Sequence, residues 1–422
     1  MASADISTSS TAHTAAPHGA DRGGTRRRAG WLVGVGVVLV ALNLRPAVSG
    51  TGPLLAEIRD DLHMSGTIAG LLTSLPVVCF AVFGSLGPLI ARRIGRNTVL
   101  VAAMAALAAG LVLRAFSGGT GAFLASTMLA MAGIAVSNVL LPALVKDEFP
   151  DRVALMTGVY SMSLAGGTAL AAAAAVPLER ALGGGWRPAL AAWAVLAVLA
   201  VAAWAAVLAL RGRGTSPAAA RTAPAQRAGA GIWRSPTAWW VAAFFGIQGG
   251  AAYTSMGWMP QMFRDADVSA TMSGNLLAIT QLVGVPMSFV IPAVAGRLKD
   301  QRPIVVVLIA AGLAAYAGIA FAPASAPLLW AILMGALNSC FPLALMMIGM
   351  RARTGEGVAR LSSFAQSTGY LISVPLPLLT GALYSATGGW GVPLAVLAAL
   401  MLPQCVFGLL AARNRYVDDE LA

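Results

Sequence analysis

Twelve apolar runs fill almost the whole of this 422-residue chain, at about residues 31–55, 65–90, 98–115, 120–144, 153–177, 187–210, 236–259, 269–295, 303–322, 327–350, 358–384 and 390–411. A membrane-spanning helix needs about 20 apolar residues, so each run is long enough, or nearly so, to cross a bilayer. Hydrophobic residues make up 58% of the sequence and charged ones 10%, against about 45–50% and 25% in soluble domains. No water-soluble fold of this length buries that much apolar surface, which excludes a soluble enzyme and a disordered chain. The composition defines an all-α polytopic membrane protein.

The formal net charge of +12 would point to nucleic acid in a soluble protein. Here the 28 Lys and Arg residues cluster in the breaks between apolar runs, where they report topology instead. With the N-terminus inside, 22 of the 28 fall in inner segments. The outer segments hold only Arg59, Arg114, Arg180, Arg187 and Arg264, and Arg45 lies within the first run. Cytoplasmic loops collect Lys and Arg, so both termini are expected in the cytoplasm, with the bilayer as the main partner and no nucleic acid.

Residues 1–29 are rich in Ala, Ser, Thr and Gly and end in Arg26-Arg27-Arg28, the composition of a disordered cytoplasmic tail. A cleaved signal peptide is the rival reading, but the run from Trp31 continues past Arg45 to Leu55, too long for a signal's apolar core. Residues 211–234, rich in Ala, Arg, Pro and Gly, read as a linker between two six-helix bundles, 30–210 and 235–412, and residues 413–422 read as a second tail. The bundles are related. A shift of 204 positions places Asp61 on Asp265, Ser65 on Ser269, Thr67 on Thr271, Gly70 on Gly274, Leu72 on Leu276, Pro88 on Pro292, Ala91 on Ala295 and Arg93 on Arg297. Six helices per half make this a parallel repeat, as in the two halves of large transporters.

Few residues carry chemistry. There is no phosphate-binding G-x-x-x-x-G-K-S/T loop and no H-E-x-x-H. Cys79, Cys340 and Cys405 lie inside apolar runs without metal-ligand spacing, so no metal, disulfide or cofactor is expected. All 16 carboxylates fall in tails, loops or helix ends, leaving none for the mid-membrane relay that proton-driven pumps use. An intramembrane enzyme would need such groups. An ion channel stays open as an alternative, separable by countertransport.

Against that blank stands Arg45 in Asn43-Leu44-Arg45-Pro46, about 21 Å along the helix from Trp31 and about 15 Å from Leu55. A charge there costs about 2.5–3.5 kcal/mol on insertion scales. One reading has Arg45 snorkel outward to Glu57 or Asp60. The other has its planar fork line a water-filled cavity and hold an anion or a planar polar solute. The absence of an intramembrane carboxylate favours the second. Pro46, with Gly50, Gly52 and Pro53, should break the helix, and broken helices near the midplane are where transporter sites are built. Further polar candidates inside the runs are Asn43, Asn138, Tyr160, Gln248, Tyr253, Asn338 and Gln366; each alone is as well explained by an interhelical hydrogen bond. Tyr370 is a further polar residue of the eleventh run. Arg92, Arg93 and Arg297 in the basic turns, with Lys146 and Asp147, are candidates for gating the inner end.

Several stretches carry a resemblance. Arg92-Arg93-Ile94-Gly95-Arg96 resembles the basic turn of the major facilitator superfamily, with Arg92 where an acidic residue is usual. Asn43-Leu44-Arg45-Pro46 followed by Gly52-Pro53-Leu54-Leu55, Asn138-Val139-Leu140-Leu141-Pro142 with Lys146, Thr157-Gly158-Val159-Tyr160-Ser161-Met162, Arg297-Leu298-Lys299-Asp300-Gln301-Arg302 and Ala365-Gln366-Ser367-Thr368-Gly369-Tyr370 are similar to the CynX/NimT family, the cyanate and nitroimidazole permeases of bacteria. The resemblance implies a twelve-helix facilitator fold and a monomeric permease for a small solute, cavity-lined by the first, fourth, seventh and tenth helices. Export of neutral nitroimidazole-like compounds is the alternative.

Overall fold

A computed structural model describes residues 21–211, 231–298 and 300–421, and these are helical with no strand. The first half contains α1 (Asp21–Asn43), α2 (Pro46–Ser49), α3 (Leu55–Asp61), α4 (Gly66–Ile94), α5 (Arg96–Ala115), α6 (Thr120–Glu148), α7 (Val153–Ala181) and α8 (Trp186–Arg211). The second contains α9 (Pro236–Arg264), α10 (Ala270–Ala295), α11 (Arg302–Phe321), α12 (Pro327–Asn338), α13 (Cys340–Met350), α14 (Gly355–Ser373), α15 (Pro375–Thr387), α16 (Gly391–Ala411) and the short α17 (Val417–Glu420). Eleven spans among the described residues are long and apolar enough to cross a membrane. The twelfth crossing, α9, has 29 residues and is less apolar because Gln248, Tyr253, Thr254 and Ser255 fall in its middle.

Three crossings are broken. The first passes through α1, α2, a 3-10 turn at Gly52–Leu54 and α3. Its first break falls at Arg45, whose φ of −126° and ψ of −27° make it the residue before α2, with Pro46 at the first helical position. Proline has no N–H to donate to the preceding turn, so the ladder ends there, as the sequence implied. Pro375 opens α15 in the same way. The tenth crossing breaks at Ser339 between α12 and α13.

The repeat is visible in the caps. Ser65 Oγ accepts from Ile68 N, and Ser269 Oγ accepts from Met272 N, each at 3.3 Å. Each serine satisfies a donor that the first turn would leave orphaned. Within the halves α5 packs on α6 and α9 on α14; between them α4 packs on α15 and α7 on α10. Lipid tails are as apolar as leucine, so these contacts depend on close packing rather than on expelling water. Gly70 of α4 and Gly274 of α10, equivalent in the repeat, make that packing possible. A Cβ on Gly70 would stand 2.8 Å from the Leu378 carbonyl oxygen, and one on Gly274 2.7 Å from that of Ala172. No other residue fits at either crossing without moving the backbone opposite.

We call the end carrying the starts of α1 and α9 basal, and the other distal. Several bonds that join the halves lie at mid-depth or distally. Ser74 Oγ donates to Val374 O at 3.1 Å. Arg264 reaches Glu57 at 2.7 Å and donates to Pro53 O at 3.1 Å. The Arg59 guanidinium lies 5.4 Å from the Tyr384 ring centre.

Some expectations change. The cluster Arg26-Arg27-Arg28 belongs to α1, which starts at Asp21, so this stretch is helical rather than part of a disordered tail; residues 1–20, linker residues 212–230, Lys299 and Ala422 lie outside the described residues. Residues 417–420 are not a loose tail either. Glu420 accepts from Ser235 Oγ, from Thr237 N at 3.2 Å and from Thr237 Oγ1 at 2.6 Å, which ties α17 to the first turn of α9. Arg114 and Arg351, placed in loops by the sequence, are 0% and 2% exposed. Each sits at the end of an apolar run, where composition does not distinguish a loop charge from one folded inward.

Candidate functional site

Arg45 stands at the break of the first crossing, half-buried and facing the second half. Its Nη1 donates to Tyr253 Oη at 2.6 Å, across the interface from α9. The guanidinium carbon lies 5.7 Å from the Phe80 ring centre and 5.8 Å from that of Tyr253. Phe80 of α4 stacks on Tyr370 of α14 at 5.6 Å, and Phe245 of α9 meets Tyr370 edge-on at 5.4 Å. Phe80 and Tyr253 thus flank the guanidinium, and Tyr370 and Phe245 extend the aromatic cluster beyond them.

The charge has no acidic partner: the ionisable groups interacting with it are Tyr253, Tyr370 and Tyr160. A hydrogen bond to a charged group contributes about 1.5–3 kcal/mol and a cation–π contact about 0.5–2 kcal/mol. Together these offset the insertion cost of about 2.5–3.5 kcal/mol and keep Arg45 in place without a carboxylate. The guanidinium has five N–H donors, and the bond to Tyr253 uses one. The rest are available to a solute with acceptor oxygens or nitrogens, and the Phe80 and Tyr370 faces suit a planar one.

Other sequence candidates divide by where they point. Tyr160 Oη donates to Asn138 Oδ1 at 3.4 Å, a long bond within the first half, and Tyr160 is near enough to Arg45 to interact with its charge. Asn43 is 3% exposed and turned away; its Nδ2 donates to Leu39 O at 2.8 Å and Leu196 O at 3.0 Å, stitching α1 to α8. Gln248 is fully buried and accepts from Gln404 Nε2 at 2.9 Å, joining α9 to α16. Gln366 donates to Ser362 Oγ at 2.8 Å on its own helix. Asn338 sits at the α12 break with Oδ1 buried and unpartnered. Phe80 escaped the sequence reading because a phenylalanine inside an apolar run looks the same whether it faces a cavity or lipid.

At the basal end, Arg96 pairs with Asp147 at 2.5 Å and Glu148 at 3.7 Å, within the first half. Arg92 and Arg93 close α4, and Arg92, Arg93, Lys146 and Arg297 are exposed.

Two six-helix bundles that meet around a cationic mid-depth site have the architecture of a membrane transporter. A family model described as Major Facilitator Superfamily matches residues 36–374. The 2-nitroimidazole transporter of Escherichia coli (strain K12) is 36% identical over 384 residues, covering 90% of this chain and 95% of that protein. The cyanate transport protein CynX of the same organism is 29% identical over 381 residues, covering 90% and 96%. Among solved structures, the nucleoside transporter NupG superposes with a TM-score of 0.72 at 11% identity, covering 91% of this chain and 98% of that one. The chain belongs to the Major Facilitator Superfamily, within its CynX/NimT-like branch. It is a multi-pass membrane transporter, and its bacterial relatives put it in the cytoplasmic membrane.

Proposed function

We propose that the protein moves a small monoanion or planar polar solute across the cytoplasmic membrane, binding it at Arg45. The observation that carries this is the guanidinium at the interface of the halves, anchored by Tyr253 and lacking a carboxylate. Asn138 and Tyr160 would complete the opening on the first-half side, with Asn338 and Gln366 farther basal; Asn43 and Gln248 support the fold around it. Both termini are cytoplasmic in this reading, and a bundle 30–210 rocks against a bundle 235–412 about the linker 211–234. Access from the distal side requires the Arg264–Glu57 pair to break, and the basal gate is assigned to Arg92, Arg93, Lys146, Asp147 and Arg297. The monomer contains the whole pathway. A second solute class, neutral nitroimidazole-like compounds exported from the cell, is favoured by one feature, the stacked Phe80–Tyr370 platform.

The test is uptake of labelled cyanate, bicarbonate, carboxylates and nitroimidazoles into proteoliposomes, with and without a pH gradient, beside the Arg45→Ala variant. Saturable countertransport of at least one solute, lost in that variant, is expected. Equal transport by the variant overturns the site. Reporter fusions active only outside the cytoplasm should give signal at Gly118 and Gly184 and none at Ser216.

A further inference from the structure

The distal end carries one device twice. Asp61, the last residue of α3, accepts from Trp186 Nε1 at 3.2 Å. Asp265, just past α9, accepts from Trp390 Nε1 at 2.8 Å. The offset of 204 that relates the halves places Asp61 on Asp265 and Gly184-Gly185-Trp186 on Gly388-Gly389-Trp390. Gly184 and Gly388, in the turns that lead to the tryptophans, both have left-handed backbone, with φ of 75° and 66°, which suits glycine. In each half the first crossing is thereby tied to the sixth at its distal end.

Beyond that shared bond the two clamps differ. Asp61 also holds the Arg187 guanidinium at 2.5 Å. Asp265 takes two neutral donors instead, Tyr384 Oη at 2.9 Å and Gln261 Nε2 at 2.5 Å. Tyr384 stands where the first half has Arg180. Its ring centre lies 4.4 Å from that of Trp390 and 5.9 Å from that of the fully buried Trp258. Arg59 meets these rings from the first half, its guanidinium carbon 5.4 Å from the Tyr384 centre and 6.0 Å from that of Trp258. The carboxylates beside it on α3, Glu57 and Asp61, are engaged by Arg264 and Arg187. A phenol that donates to a carboxylate is polarised by it, which strengthens the negative ring face that a guanidinium seeks.

We infer that Asp265 is the positioning residue of a distal latch: it holds Tyr384 and Trp390 as the ring face on which Arg59 of the other half closes. The latch is one-sided, because the first-half clamp binds a cation and has Arg180 where the second half has a ring. It gives α3 a second contact across the halves, two residues past Glu57, that must part before the distal side opens. The inference rests on the reading that the halves move apart there.

Pulsed EPR on the full chain in nanodiscs, without solute, tests it. Nitroxides on Gly118→Cys and Ala386→Cys mark the distal end of each half, with Cys79, Cys340 and Cys405 replaced by alanine. Arg59→Gln and Asp265→Ala should each raise the long-to-short distance ratio about two- to fivefold, the scale of one exposed cation–π contact. The double variant should match either single one, since Asp265 acts through Arg59; a merely structural aspartate gives additive shifts. Tyr384→Phe keeps the ring and removes only its bond to Asp265. It should move the ratio the same way, and it carries the test if Asp265→Ala does not fold. Glu57→Gln is the reference for opening. A shift in Glu57→Gln without one in Arg59→Gln or the Asp265 and Tyr384 variants overturns the latch, as does additivity. No shift in any variant overturns the latch and the moving halves together.

Discussion

The two halves share a repeat, yet they divide the work between them. The 204-residue offset that aligns Ser65 with Ser269 also sets Gly249 opposite Arg45 and Arg351 opposite Asp147. In the first half the leading crossing is broken at a charge; in the second its counterpart α9 runs unbroken for 29 residues and supplies Tyr253 and Phe245. At the basal end the contrast reverses. The first half closes the α5–α6 corner with the part-exposed pair Arg96–Asp147, their side chains 11% and 35% exposed. The second buries Arg351 at the matching corner, where it donates to Ala411 O at 2.7 Å, Gln301 Oε1 at 2.6 Å and Ala412 O at 2.9 Å. One half presents the charge and the other braces the rings that hold it. Duplication provides two equal scaffolds; it leaves their polar residues free to diverge, because a bilayer interior tolerates one well-partnered cation better than two.

If the charge of the first half does the binding and the solute is anionic, Arg45→Ala should lower its affinity by about 2–4 kcal/mol, the scale of a desolvated charge partner. Arg45→Lys should lower it less, since the charge stays and the fork goes. Calorimetry on purified variants measures both, and protein levels should hold. The basal corners come next. Arg351→Met should cost about 2–3 kcal/mol of stability, because three acceptors lose a charged donor. Arg96→Met should cost about 0.5–1 kcal/mol, as for a part-exposed pair. Thermal unfolding of the two variants side by side breaks the contrast if the order is reversed. Tyr253→Phe removes only the hydroxyl that the second half offers Arg45, and should reduce affinity for an anionic solute by about 1 kcal/mol. The smallest effect is expected of Glu420→Ala, about 0.5–1 kcal/mol of stability from the lost cap on α9, read as a downward shift in melting temperature.

The sequence showed the crossings, the repeat and Arg45 for one physical reason: each departs from, or keeps to, the apolar pattern that lipid demands. The break at Pro46 was legible because proline lacks a donor wherever it stands. The ring set was not. Phe80 and Phe245 differ from lipid-facing aromatics only by the rotation of their helices, which packing sets and hydropathy does not record. Asn43 and Gln248 looked like ligands because a polar residue in an apolar run must bond to something; carbonyls of α1 and α8, and Gln404, turned out to be that something. Arg114 and Arg351 sat at run ends, where one turn of helix decides between water and core. A partnerless arginine within a run is readable, whereas one at its edge needs coordinates.

The paired glycine crossings bear on the speed of the cycle. At Gly70 and Gly274 backbone lies against backbone, so sliding there rearranges no rotamer and ruptures no hydrogen bond. Besides the Ser74–Val374 bond, the activation enthalpy of rocking resides chiefly in the Arg264–Glu57 pair and the Arg45–Tyr253 bond. Both are electrostatic and one lies at the aqueous rim. The turnover of such a carrier should respond to ionic strength more steeply than to membrane fluidity.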